Sequence, residues 1–302
     1  MTNEQRIKCL SVPTGKIDAI LDTDAFNEID DQFAITYFVK SKEKINVKAI
    51  CAAPFDNIYS EGAADGMERS YNETKKLLSL MNEQVDVYRG SDRFLPDEKT
   101  PVISDAAKMM AELANNYSCE NPLYIVAIGA ITNVASALLL NPDMKDRTVV
   151  VWLGGNGYHY HITEEFNMKQ DIAAARVVMD CGVPFVQLPA MGVVDKFMIS
   201  KPELEYWLKG KNPVADYLST ITISEAEKYA SGTPWTRPIW DVTAVAWLLN
   251  EDDRFMSSRI TPTLIPKYDN SYDMSYEGYP MRYVYSIKRD ALMADLIKKL
   301  LL

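Results

Sequence analysis

Short, nearly continuous runs of β-branched and apolar residues alternate with helix-patterned stretches up to about residue 200, and this alternation limits the fold more than any other feature of the chain. The candidate strands are Ile17–Leu21, Val47–Ala52, Val85–Tyr88, Leu123–Ile128, Thr148–Leu153 and Pro184–Leu188. Between them lie candidate helices near Asp31–Lys40, Glu68–Met81, Ile103–Asn116, Thr132–Leu140 and Ile172–Cys181. Strands apolar on both faces and separated by helices imply an α/β fold: a mainly parallel, open sheet flanked by helices. Right-handed crossovers then bring every strand's carboxyl end to one edge of the sheet. From about Lys201 the pattern turns helical, with Pro202–Lys209, Pro213–Tyr229 and Asp241–Asn250. A strand pair at Arg259–Ile265 and Met281–Ile287 and a closing helix to Leu302 follow. With no internal repeat and no flexible linker, residues 1–302 read as one domain with a C-terminal helical elaboration.

Ligands in open α/β sheets bind at the carboxyl ends of strands, so those ends carry the functional reading. The first ends in Leu21-Asp22-Thr23-Asp24 and runs on to Asp30-Asp31, with Glu28 between. Five acidic residues within ten positions cannot all be ionised side by side without a compensating cation. A hard divalent ion, Ca²⁺ or Mg²⁺, suits oxygen ligands better than a softer metal. Helix capping accounts for one or two of these carboxylates but not for the Asp-x-Asp at the strand end.

The second strand leads to Asn57. The fourth leads into Gly129-Ala130-Ile131-Thr132-Asn133, where a backbone carbonyl can face the metal. The fifth opens into Gly154-Gly155-Asn156-Gly157, then His159-Tyr160-His161 and Glu165-Phe166-Asn167. If that segment is extended, Glu165 and Asn167 face the same way, as sugar hydroxyls would require, although an ordinary polar loop fits equally well. His159 and His161, without nearby cysteines, read as ligand-contacting or surface residues before metal ligands. Asp241 opens a helix, so an N-cap is its default role, and Trp240 before it reads as core or rim packing.

Composition narrows the partners. Forty-two acidic residues against 32 basic ones, a net charge of −10, argue against a nucleic-acid polymer but not against an uncharged nucleoside. The stretch Leu123 to Leu140 carries no charge, yet Gly129, Thr132 and Asn133 break it, so no membrane span is expected. The N-terminal residues MTNEQRIKCLSVPTGK lack a long apolar core, so no signal peptide is expected either. Cys9, Cys51, Cys119 and Cys181 are widely spaced, without a C-x-x-C pair, and suit a reducing, cytoplasmic compartment.

Taken in order, these motifs resemble the inosine–uridine type nucleoside hydrolases. The resemblance rests on Asp22, Asp24, Asp30 and Asp31, the Gly129–Asn133 turn, Gly154-Gly155, Glu165-Phe166-Asn167 and Asp241, and spans about residues 17 to 250. It implies Ca²⁺ held by Asp24, Asp31, Asp241 and the carbonyl of Ile128, with Asp30 as general base for a water on the metal. It implies contacts to ribose from Asn57, Asp30, Asp31 and Asp241, and to its 5′ end from Glu165 and Asn167, with His159 roughly where the family often has another asparagine. Homodimers or homotetramers are common among such proteins. The chain departs from the pattern twice. Five residues, Ala25 to Ile29, separate Asp24 from Asp30, where the family usually has three. Trp240 stands where many members have a histidine that helps the departing base; purine-preferring members also place a tryptophan there.

The implied reaction is hydrolysis of an N-glycosidic bond through an oxocarbenium-like transition state, giving ribose and a free base, purine favoured. Trp240 by stacking, or Tyr160, His159 or His161 as donor, are the candidates for assisting the leaving base. Four rivals stand beside this reading. A haloacid dehalogenase-type phosphatase shares the Asp-x-Asp but lacks here the strand-end Ser/Thr, lysine and later acidic pair. A ribose- or nucleoside-binding protein that has lost catalysis fits the longer loop and the missing histidine, and a hydrolase of another N-riboside is a further alternative. A purely structural protein explains the carboxylates worst.

Overall fold

The computed structural model describes residues 1–160 and 162–302, so His161 lies outside the described residues. Ten strands are formed: β1 Ile17–Thr23, β2 Ile45–Ala52, β3 Val87–Arg89, β4 Leu123–Ala127, β5 Thr148–Leu153, β6 Phe185–Leu188, β7 Met198–Ser200, β8 Thr236–Pro238, β9 Met256–Pro262 and β10 Pro280–Ile287. The α-helices are α1 Asn3–Cys9, α2 Asp31–Lys40, α3 Ala63–Met81, α4 Asp105–Leu113, α5 Thr132–Leu140, α6 Phe166–Gln170, α7 Ile172–Asp180, α8 Lys201–Trp207, α9 Pro213–Ala230, α10 Val242–Leu248 and α11 Arg289–Leu300. Eight strands make one sheet in the order β3-β2-β1-β4-β5-β6-β10-β9, and β7 and β8 form a separate antiparallel pair. Within the large sheet all neighbours are parallel except β9 and β10.

The expected mainly parallel sheet is therefore present, and the reason is visible in its centre. Every residue of β4, β5 and β6 is buried, which requires cover on both faces. Alternate strand residues divide between two apolar layers. Leu21, Val126 and Val151 pack with Phe33 of α2, Val245 of α10 and Leu292 of α11. Ile20, Ile125 and Val150 pack on the other side with Met110 of α4, Val134 of α5 and Val178 of α7. The order reverses between β1 and β4: successive strands move outward through β2 and β3 on one side and through β5 and β6 on the other. Such a switch point leaves a crevice at the carboxyl ends of the two central strands. Here it opens beyond Asp22, which lies level with Cys51 and Ala127 on its two neighbours.

Several boundaries differ from the sequence reading. Helix α3 begins at Ala63 rather than Glu68, because Gly66 is no breaker here. A Cβ on Gly66 would lie 2.0 Å from the Phe55 carbonyl oxygen, so glycine is what lets the first turn pack on the chain leaving β2. The last turn of the expected Ile103–Asn116 helix tightens to a 3₁₀ turn at Ala114–Asn116. The late pair is shifted: β9 runs Met256–Pro262 rather than Arg259–Ile265, and β10 lies parallel to β6 through Arg282 and Tyr283. Helix α1 and the β7–β8 pair are additions; the capping box of Thr2 with Gln5 was the available sign of α1. Among the described residues no helix is long and apolar enough to cross a membrane.

The first turn of α5 locks the switch point. Asn133 donates to Asp22 Oδ1 at 2.8 Å and to the Ala52 carbonyl at 3.1 Å. Its Oδ1 accepts from the Ser91 amide at 2.7 Å and the Ser91 hydroxyl at 2.9 Å. One buried amide thus ties α5 to β1, β2 and the chain after β3. Asn133→Ala would strand several buried polar groups, and is expected to lower the unfolding free energy by about 2–4 kcal/mol in denaturant titration. A loss under about 0.5 kcal/mol would show that the ties are replaceable.

Candidate active site

Beyond β1 the chain turns at once: the Asp24 carbonyl accepts from the amides of Phe26 and Asn27 at 2.7 and 2.9 Å. The turn delivers Asp30 and Asp31 to the start of α2, while β8 and the residues after it deliver Asp241 to the start of α10. Asp30 and Asp241 both occupy N-cap positions, yet neither side chain makes a capping hydrogen bond. The default explanation of an acidic residue at a helix start therefore fails for both. Their carboxylates are instead buried, and oxygens of Asp30, Asp31 and Asp241 lie within 4.8 Å of one another. The Asp241 amide donates to Asp30 Oδ2 at 3.3 Å, and the Thr23 hydroxyl to Asp31 Oδ1 at 2.5 Å.

Asp24 lies outside that trio, with both oxygens buried and without a partner. It fits only because residue 129 is glycine: a Cβ there would lie 2.9 Å from Asp24 Cγ. The Gly129 carbonyl is held in turn by Trp152 Nε1 at 3.0 Å.

Burial dominates the electrostatics. It pushes the carboxyls of Asp24, Asp30 and Asp241 well above their ordinary value, and neighbouring carboxylates push in the same direction. Asp31 rises to about 7 by burial, opposed by the Thr23 hydrogen bond; Asp22 rises to about 7 by burial, opposed by Asn133. The Arg237 guanidinium pairs with Glu28, at 3.0 Å, rather than with any of them. Buried, mutually repelling oxygen donors with unpartnered atoms suit a hard divalent cation, and among the described residues neither histidine nor cysteine joins the trio.

Beside the cluster is a cavity of about 210 Å³. It brings together six of the residues singled out in the sequence: Asp30, Ile128, Glu165, Asn167, Trp240 and Asp241. Glu165 and Asn167 do not alternate on an extended segment; Glu165 caps α6 and Asn167 sits in its first turn. The Glu165 carboxylate accepts from the amides of Gly155, Asn167 and Met168 at 2.8, 2.9 and 3.0 Å. Asn167 Nδ2 donates to the carbonyls of Ile128 and Leu153, both at 3.0 Å, so the Ile128 oxygen already has one partner and one lone pair left.

Asn57 lines an adjoining cavity of about 540 Å³ rather than the first, and its Nδ2 donates at 2.6 Å to Oδ1 of Asn27, which lines both. His159 is exposed and packs on Tyr160, 4.8 Å between ring centres, outside the cavity lining. Tyr160 is likewise on the outside, which leaves Trp240, among the described candidates for helping the departing base, on the cavity wall. The structure adds Asn27, Glu28 and Asn156 to the lining. Glu28 had a sequence signal as one of the five clustered acidic residues and Asn156 by its place in Gly-Gly-Asn-Gly, whereas Asn27 had none.

Comparison with known proteins bears on the family and the fold. The family model described as inosine-uridine preferring nucleoside hydrolase matches residues 19–276. "Probable uridine nucleosidase 2" of Arabidopsis thaliana is 26% identical over 226 residues, 67% of this chain and 67% of the plant protein. The pyrimidine-specific ribonucleoside hydrolase RihA of Escherichia coli is 25% identical over 253 residues, 74% of this chain and 77% of the relative. A purine-preferring ribonucleoside hydrolase from Gardnerella vaginalis shares the fold at TM-score 0.75 and 18% identity, over 94% of this chain and 98% of that one.

The carboxyl shifts have a consequence for stability. Asp22 and Asp31 hold protons more tightly folded, at about 7, than at the ordinary 3.8 of an exposed carboxyl. Between those values the native state binds more protons than the unfolded chain, so stability falls as pH rises. The melting temperature of chelator-treated protein should therefore drop from about pH 5 to about pH 8, and millimolar Ca²⁺ or Mg²⁺ should flatten the slope. Equal stability at both ends of that range without metal would contradict the electrostatic picture.

Proposed function

The chain belongs to the inosine-uridine preferring nucleoside hydrolase family, and on that premise we propose that it is a Ca²⁺-dependent hydrolase of the N-glycosidic bond of ribonucleosides, favouring purines. The observation that carries the metal reading is the unpartnered, fully buried Asp24 beside the Asp30, Asp31 and Asp241 trio, at the switch point of the sheet. Asp24, Asp31 and Asp241, with the remaining lone pair of the Ile128 carbonyl, would hold the ion. Bound there, a divalent cation supplies charge compensation for the carboxylates and Lewis acidity that makes water easier to deprotonate.

The chain's own residues do the rest. Asp30 lines the cavity and stands within 4.8 Å of Asp31 and Asp241, where it takes the proton of the attacking water. Attack on the anomeric carbon opposite the base is a single displacement and inverts configuration. Buried carboxylates stabilise positive charge developing on the sugar. Glu165 accepts from three amides, so it stays put and offers acceptor lone pairs to a hydroxyl. Asn167 is held by its two carbonyl contacts and orients the sugar from the same side. Trp240 supports the purine preference: a half-buried indole on the wall presents a stacking face, larger for a bicyclic base. The four free thiols support a reducing, cytoplasmic location. Asp24 is a second reading for the base, favoured by its two unpartnered oxygens.

A reducing-sugar assay over purine and pyrimidine nucleosides, with and without chelator, tests the proposal. Chelator-sensitive release of ribose, faster from purines, is expected; release from pyrimidines alone would remove the purine preference, and none from either would remove the hydrolase reading. Asp30→Asn should lower kcat by about 10²–10⁴ with Ca²⁺ affinity largely retained. If instead Asp24→Asn abolishes turnover while still binding Ca²⁺, and Asp30→Asn turns over normally, the base is Asp24. Trp240→Ala should reduce kcat/KM for purines by about fivefold more than for pyrimidines, given about 1 kcal/mol of stacking.

A further inference from the structure

The carboxylate trio is assembled from two segments far apart in the chain, and like charges drive them apart. Asp30 and Asp31 end the turn after β1, and Asp241 follows β8; they meet where the Asp241 amide reaches Asp30 Oδ2 at 3.3 Å. The turn carries the five residues Ala25 to Ile29, so it is not held taut by shortness. One ion pair spans the two segments directly. Glu28 Oε2, two residues before Asp30, accepts from Arg237 Nη2 at 3.0 Å, four residues before Asp241.

The arginine end of this pair is fixed. Arg237 lies level with Ile199 in the β7–β8 pair, and its Nη1 donates to the Tyr229 hydroxyl of α9 at 2.7 Å. Its side chain is 20% exposed against 46% for Glu28. The glutamate end is the more exposed one, and a half-exposed ion pair of this kind adds little to global stability. What it can do is hold a spacing.

We infer that Glu28 and Arg237 form a positioning clamp that sets the separation of Asp30 and Asp31 from Asp241, and thereby the affinity of the cluster for a divalent cation. This rests on the metal reading above. A cluster already held near its bound spacing has less to reorganise when the cation arrives, and supports outside the ligand set commonly govern affinity in this way.

Charge alone makes a different forecast, which separates the two. If the pair acted only through its field, loss of the Arg237 positive charge would strengthen cation binding and loss of the Glu28 negative charge would weaken it. The clamp requires both Glu28→Gln and Arg237→Met to weaken Ca²⁺ binding, each by about tenfold, with the double variant no weaker than either single one. Calorimetric titration of Ca²⁺ into the chelator-treated full chain reads this directly, with thermal unfolding of each metal-free variant close to that of the parent. Glu227→Gln, which breaks the Lys201–Glu227 pair of 2.9 Å away from the cavity lining, should leave affinity unchanged. If Arg237→Met does not fold, Arg237→Lys keeps the charge but not the two-pronged grip, and should still weaken binding. Tighter binding by Arg237→Met, unchanged binding by Arg237→Lys, or additive losses in the double variant would overturn the clamp. A parent protein that binds no divalent cation would overturn the metal reading itself.

Discussion

Carboxylates buried together at the edge of a parallel sheet repel one another, and most of what surrounds the cleft answers that repulsion. Asp22 is satisfied on one oxygen by Asn133, and Asp31 by Thr23. Asp24 is satisfied on neither. Burial lifts all three from their ordinary ionisation, and at Asp24 the neighbouring carboxylates push the same way. A chain selected for stability alone would not keep such a set, because apolar residues of similar volume would fill the same space without penalty. The cluster is therefore best understood as half of an interaction whose other half is a cation.

The parallel frame was legible in the sequence because β4, β5 and β6 are apolar throughout, and a strand with no polar face has few possible environments. Asp31 to Lys40 could be bounded correctly at both ends, since acidic residues precede it and the apolar pattern stops at Lys40. What failed was local chemistry decided by distant backbone. The first turn of α3, before Glu68, depends on Gly66 packing against the Phe55 carbonyl. Glu165 and Asn167 read as alternating along an extended segment until Glu165 is seen capping α6 with three amides on its carboxylate. Strands β7 and β8 are too short to show a period.

The site was legible to a similar depth. The acidic residues were identifiable because their density in the sequence is electrostatically expensive, and the fold collects Asp30, Asp31 and Asp241 in one place. The sequence did not show that Asp24 stands apart from that trio, nor that His159 lies outside the cavity. Nor did it single out Asn27 and Arg237 among ordinary polar residues. Their partners, Asn57 and Glu28, are 30 and 209 positions away, so no local pattern announces them.

Asn27 and Glu28 face two spaces at once, the cavity beside the carboxylates and the larger one next to it. A shared partition has no independent sides. Any substitution that widens one room by shifting this short stretch of chain narrows the other and tugs on the backbone that carries Asp30. Drift in what the outer room admits is thereby tethered to the chemistry of the inner one. A lineage built on this plan would change its outer room most freely at residues on the far wall, such as Tyr217 and Ile221, and hold the partition itself nearly still.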